Sequence, residues 1–359
     1  MQHKKHKIIL LTVFSFFASL ICSQESLKMG GGYAATRQLP NVGYTSQIYD
    51  ATSGLPTSDA MYILCSHDGY VWICGYSGIL RYDGSSFERL PTTFGLTSGR
   101  ALYEDKSGRI WVGTNDNGVV VLENNKTRQY TYRDGLPSSS IRSFAEDLDG
   151  NIYIGTTSGI CYVDSSGNLF PISDPRIDEE RVLKLSADYS GIIYGQTKNG
   201  LIFKIDDKKI TAVYDSAELG IEKITSIMVD PLGSGNVYFC TQGSALYFGD
   251  FGKRKELLKK IDVSPMKDLH WISYDCGKIW LSSSTMLGYL NDDNELIELK
   301  NIPMNSSIEM QTADYQGNIW TASATQGVMK LVTNSFVNLT YEAGRPEAVT
   351  NTTFLHKGL

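Results

Sequence analysis

The sequence predicts an all-β chain, a seven-bladed β-propeller of four-stranded antiparallel blades preceded by a signal peptide. Three observations predict it. A Gly-containing turn followed by an aromatic recurs seven times, the aromatics being Trp72, Trp111, Tyr153, Tyr194, Tyr238, Trp280 and Trp320. Their successive spacings are 39, 42, 41, 44, 42 and 40 residues, a period typical of solenoids and propellers. Finally, 34 Gly and 21 Tyr beside 10 Pro in 359 residues suit many short strands joined by tight turns.

The chain opens on a segment kept apart from the fold. Lys4, Lys5 and Lys7 precede an apolar run from Ile8 to Ile21. That run is shorter than the roughly 20 residues that span a bilayer, so residues 1–24 read as a cleaved export signal. Cys22 follows the bulky Ile21, which speaks against a lipidated cysteine. No second apolar stretch of spanning length follows. Residues 44–341 read as the ring. Residues 342–359 read as the start of a further repeat or a truncated tail, which suggests a piece of a longer protein.

A period near 41 residues also fits helix-pair solenoids, and the content of each repeat decides between them. Residues 141–147 (IRSFAED) alternate, DLDG turns the chain, NIYIGT is β-rich, TTSG turns it again, and ICYVD follows. The preceding repeat supplies RQYTYRD as a further strand before DGLPSSS. Four short strands separated by Asp/Gly turns make a propeller blade. Lys253–Lys260 is the one helix-like stretch, read as a solvated loop or short helix.

Each recurring residue has a structural role. The first-turn glycines (Gly108, Gly150, Gly191, Gly317) suit positive φ, and the Asp three residues earlier can bond its own turn's amides. The aromatic packs between blades, which contributes roughly 1.5–3 kcal/mol per side chain. The second glycines (Gly78, Gly118, Gly159, Gly200, Gly327) mark the reversal into the third strand. A lone blade cannot cover both its faces, so the blades close into a ring. Two segments suit the outer strand of the last blade, TSQIYD at 45–50 and FVNLT at 336–340; if the second fills it, the ends feed a further ring.

Several functions are disfavoured. A net charge of −6 argues against nucleic acid, which needs a basic stripe. Cys65, Cys74, Cys161, Cys240 and Cys276 lack the spacing of a zinc site or a disulfide framework and read as small buried hydrophobes on strands. Sialidase-type boxes place the aromatic five residues after Asp, whereas here the spacing is six (Asp105 to Trp111). Propeller lyases that open cyclic peptides need a metal-supporting His and Glu set. Outside the signal and the tail only His67 and His270 remain. Neither a G-x-S-x-G elbow nor a P-loop occurs. No catalytic residue, metal or cofactor is expected.

A binding face can be derived from register. The GLPSSS-type and GTxxG-type loops adjoin the same end of the inner strands. Counting back from the turn Asp (Ser66 in blade one), position −3 reads Ile63, Leu102, Phe144, Leu185, Ile227, Ile272 and Gln311, a set that should pack between blades. Position −5, nearer the loops, reads Met61, Arg100, Arg142, Leu183, Thr225, His270 and Glu309. The channel therefore turns polar toward one mouth, where Arg100 and Arg142 from adjacent blades suit a carboxylate, a sulfate or sugar hydroxyls. The plainer alternative is that they are solvated or pair with Glu309 and Asp178. Tyr76, Asn115 and Asp116 in neighbouring loops, and Trp271 at the rim, add stacking and hydrogen-bonding groups for a saccharide.

The repeats at 54–84 (GLPTSDAMYILCSHDGYVWICGYSGILRYDG) and 135–164 (GLPSSSIRSFAEDLDGNIYIGTTSGICYVD) resemble the two-component regulator propeller repeat. The resemblance spans about residues 44 to 340 and weakens from the fourth to the sixth blade, where PLGSGN lengthens a turn and SSST replaces the GT pair. It implies a periplasmic or extracellular sensory propeller of a bacterial membrane protein. In that family a second propeller and a β-sandwich of the same chain lead to a histidine kinase or diguanylate cyclase. A homodimer and an oligosaccharide or other small extracellular ligand are the partners it suggests. A secreted binding or scaffold propeller without signalling output is the alternative.

Overall fold

The computed structural model describes residues 44–123 and 126–333. The expected signal segment at 1–24, FVNLT at 336–340 and the tail at 342–359 lie outside the described residues. Asp/Gly turns cut each repeat into strands of three to seven residues, too short to bury anything alone. They pair antiparallel into seven four-stranded sheets. Blade three shows the pattern: inner strand Ile141–Glu146, then Ile152–Thr156, Ile160–Val163 and the outer Leu169–Ile172. Phe144 pairs with Ile154, Tyr153 with Tyr162 and Cys161 with Pro171.

The last blade is completed by the start of the ring. Ile308–Ala313, Ile319–Ser323 and Gly327–Thr333 are joined by Tyr44–Tyr49 as outer strand, in register from Tyr44↔Thr333 to Tyr49↔Val328. Of the two closing segments suggested by sequence, the N-terminal one therefore takes the position. Tyr49 stacks on Trp320 of its own blade at 5.9 Å and meets Phe87 of blade one edge-on at 5.3 Å.

The six-residue spacing between turn Asp and aromatic has a cause that the sequence reading missed. Trp111 Nε1 donates to Asp105 Oδ2 at 2.7 Å, and Trp320 Nε1 to Asp314 Oδ2 at 2.9 Å. The Tyr153 and Tyr194 hydroxyls lie 3.2 and 3.3 Å from Asp147 and Asp188. In blade one Ser66 Oγ accepts from Trp72 Nε1 at 3.0 Å. The same carboxylate holds its own turn, since Asp105 Oδ1 accepts from the amides of Ser107 and Arg109. One Asp thus fixes the hairpin and satisfies the buried polar edge of the aromatic. The seven aromatics are 1–9% exposed; Trp111 lies among Ile141, Phe144 and Ile152 of the next blade.

Glycine is required where turns meet. Gly108 has φ 79°, and a Cβ there would lie 2.9 Å from the His67 ring of the preceding blade. Gly118, at φ 74°, has no room for a Cβ beside the Tyr130 carbonyl.

The degenerate blades keep the geometry by other means. Ser234 Oγ in the long turn of blade five donates to Asp230 at 2.5 Å. Blade six uses a two-residue hairpin with Cys276 and Gly277 both at positive φ. Its Trp280 Nε1 donates to the Asp275 carbonyl at 3.1 Å, leaving the carboxylate for Ser273 and for the Ala313 amide of the next blade. Lys253–Lys260 resolves into a 3-10 turn at Lys255–Leu257 that leads into the outer strand Lys259–Asp262. Cys74, Cys161 and Cys240 are buried free thiols, and Cys276 is an exposed one.

Candidate ligand-binding site

The inner strands deliver their residues to one mouth of the channel through a shared irregularity. In blades two, three, four, five and seven the register slips by one residue near the loop end, between Gly99 and Ala101, Ile141 and Ser143, Val182 and Lys184, Ile224 and Ser226, and Ile308 and Met310. The residue left without a ladder partner is Arg100, Arg142, Leu183, Thr225 or Glu309, each at position −5. A bulge bends its strand and re-aims the extra side chain. In blades one and six, Met61 and His270 sit just ahead of the inner strand.

All seven position −5 residues line a single cavity of about 420 Å³. The position −3 residues are buried, from 0% exposure at Ile227 and Gln311 to 7% at Phe144. The two loop families stitch together on the mouth face. Asn115 N and Nδ2 donate to Ser98 O and Oγ at 2.9 and 2.8 Å, and Thr157 N donates to Ser140 O at 2.9 Å.

Arg142 is held from two sides, its Nη1 donating to Asn115 Oδ1 at 3.1 Å and to its neighbour's carbonyl at 2.7 Å. Burial, then repulsion from Arg100 and Arg181, lowers its pKa to about 10, with Tyr76 opposing. Arg100 differs: its Nη1 is buried without a hydrogen-bond partner. Burial pushes the Glu309 carboxyl above its usual range, against the pull of Arg100 and His270. Neither arginine forms an ion pair with Glu309 or Asp178 among the described residues. His270 has Nε2 2.6 Å from Ile308 O and Nδ1 3.2 Å from Asp268 O.

Tyr76, Asn115 and Asp116 lie outside the lining of this cavity. Tyr76 is 64% exposed, Asn115 positions Arg142, and exposed Asp116 accepts from Thr97 Oγ1 at 3.4 Å. Trp271 does line the cavity. Its Nε1 donates to Gln311 O of blade seven at 3.1 Å, and its ring meets Tyr62 of blade one edge-on at 5.4 Å. Lys184 of blade four sets its Nζ 3.1 Å from the centre of the Trp271 ring. The indole therefore lies across the channel between blades four, seven and one.

Lys184 was missed by the sequence reading. The clue was available one position along: position −4 reads Tyr62, Ala101, Ser143, Lys184, Ser226, Trp271 and Met310, two large aromatics and one cation beside three small residues and a methionine. Burial lowers the Lys184 pKa to about 7, only weakly opposed by Cys240 and Asp275. A lysine depressed in the folded state binds fewer protons there than in the unfolded chain, whose lysine titrates near 10.4. Its contribution to stability is therefore complete above pH 10 and is lost as the pH falls toward 7. Urea unfolding should show wild type gaining on Lys184→Met by up to about 1.4 kcal/mol per pH unit across that window. Parallel pH profiles for the two proteins would contradict the depressed pKa.

The family model described as "Two component regulator propeller" matches residues 98–116 and 135–158. These two stretches match the two-component regulator propeller repeat. The matched repeats are blades two and three, those that hold Arg100 and Arg142. A search of curated proteins finds no sequence match. Among solved structures, the extracellular domain of what is described as a hybrid two component system of B. thetaiotaomicron is 18% identical with a TM-score of 0.67, covering 87% of this chain and 45% of that chain. A second domain of this kind from the same organism gives 18% and 0.62, covering 80% and 39%. Virginiamycin B lyase from Staphylococcus aureus is 16% identical with a TM-score of 0.66, covering 81% and 99%. At such identities the likeness concerns the ring, which hosts unrelated activities.

Proposed function

We propose that this regulator propeller is the exported ligand-sensing module of a bacterial membrane signalling protein, and that it senses a small anionic ligand at its channel mouth. Arg100 carries the reading. A buried guanidinium nitrogen without a partner costs free energy unless something supplies an acceptor. A carboxylate or sulfate seated between Arg100 and Arg142 would do so and would relieve their mutual repulsion. Uronic or sulfated oligosaccharides fit this chemistry, with exposed Tyr76 beside the mouth as a stacking surface.

The module works by binding, not by bond cleavage. Both His270 ring nitrogens face main-chain carbonyl oxygens, which leaves neither poised as a base. Binding would shift the packing of a second propeller, a β-sandwich and a dimeric stalk in the same protein, and so an output domain of histidine kinase or diguanylate cyclase type. Calorimetry of the exported chain against matched neutral, uronic and sulfated oligosaccharides tests the reading. Heat should appear with the acidic members and weaken with salt. Tighter binding of the neutral members, or none at all, would refute it.

A further inference from the structure

We propose that Lys184 is a covalent capture site, condensing reversibly with the aldehyde or ketone of a small carbonyl acid whose carboxylate is held by Arg100 and Arg142. The carboxylate part rests on the anionic reading of the mouth given above, and the amine part does not. Lys184 lines the same cavity as the two arginines. Its Nζ lies on the face of Trp271 and has no carboxylate partner within ion-pair distance among the described residues. Desolvation in such a pocket disfavours the ammonium form and so activates the amine, against the attraction of the Trp271 face for a cation. Burial accordingly brings its pKa to about 7. The groups facing it are Trp271, the Cys240 thiol and the Asp275 carboxyl, both of the latter pushed up by burial.

The Nζ lone pair attacks the carbonyl carbon to form a carbinolamine. The carbonyl oxygen then leaves as water, taking the two amine protons, and a C=N bond replaces the C=O bond. No oxidant or reductant is needed, and hydrolysis reverses the step. Open-chain uronic sugars and 2-oxo acids both carry the required pair of groups.

The test uses the intact chain with glyoxylate and cyanoborohydride at pH 7, followed by peptide mapping. Reduction traps the imine as an adduct with the mass of glyoxylate less one oxygen atom. At this pH a lysine titrating near 7 has roughly a thousandfold more free amine than one titrating near 10.4. Lys184 should therefore label at least about tenfold faster than exposed Lys253 and Lys260, even allowing for its weaker intrinsic nucleophilicity. Equal labelling of all three would overturn the proposal. Glycolaldehyde, which lacks the carboxylate, should label Lys184 more slowly than glyoxylate, and Arg100→Ala/Arg142→Ala should erase that difference. If glyoxylate and glycolaldehyde label wild type alike, the carboxylate clamp is wrong while the imine stands. If oligosaccharide binding is intact and Lys184 is inert, the imine alone falls.

Discussion

The double variant Arg100→Ala/Arg142→Ala should lose anionic-ligand affinity by about 100-fold or more and keep its fold. Each guanidinium would give charge-assisted hydrogen bonds contributing about 1.5–3 kcal/mol. Losing both costs about 3–6 kcal/mol, or two to four orders of magnitude in Kd. Stability should hardly change. Both residues are bulge positions without a ladder partner, and removing them also removes a repulsion between two cations. Arg100→Lys should recover little, because an ammonium cannot present the planar two-pronged donor that a carboxylate accepts. Calorimetry paired with thermal unfolding checks this. A double variant that binds like wild type removes the site from the mouth, and one that is unfolded contradicts the role assigned to the bulges.

Trp111→Ala should be among the most destabilising single substitutions, at about 3–5 kcal/mol. The indole is 1% exposed and fills the space between blades two and three, stacked on Tyr130 at 6.0 Å. Trp111→Phe separates packing from hydrogen bonding. It keeps a buried aromatic ring, trims the indole to one ring and removes the Nε1 donor to Asp105. That carboxylate still accepts from Arg109 Nε at 2.6 Å and from two turn amides, so the added polar cost should be about 1 kcal/mol. Denaturant midpoints for the two variants measure the split. A Phe variant as damaged as the Ala variant would mean that the Asp–Trp bond, not burial, dominates.

The ring was largely legible because its determinants are local. Asp and Gly set turns over four residues, and alternation sets strands over five, so the recurrence of both located the blades and the buried aromatics. Lys253–Lys260 shows the limit of such reading: its charges suggested a loop or short helix, yet Lys259 and Lys260 pair with Phe248 and Tyr247 in an outer strand. The Asp-to-aromatic bond was missed for a similar reason. A six-residue spacing says nothing of partnership until the hairpin folds it back, although its repetition in several blades was a visible hint.

By itself the sequence determined a wheel of seven sheets and a set of position −5 residues, all of which line the channel mouth, because counting from a turn fixes register along one strand. Only the tertiary structure decided that the first strand closes the last blade, that a recurring bulge separates position −5 from its neighbours, and that Trp271 crosses to meet Lys184. Those outcomes depend on where blades distant in the chain come to stand around a common axis. Burial there, not any local pattern, is what leaves an arginine unpartnered and lowers a lysine's pKa toward neutrality.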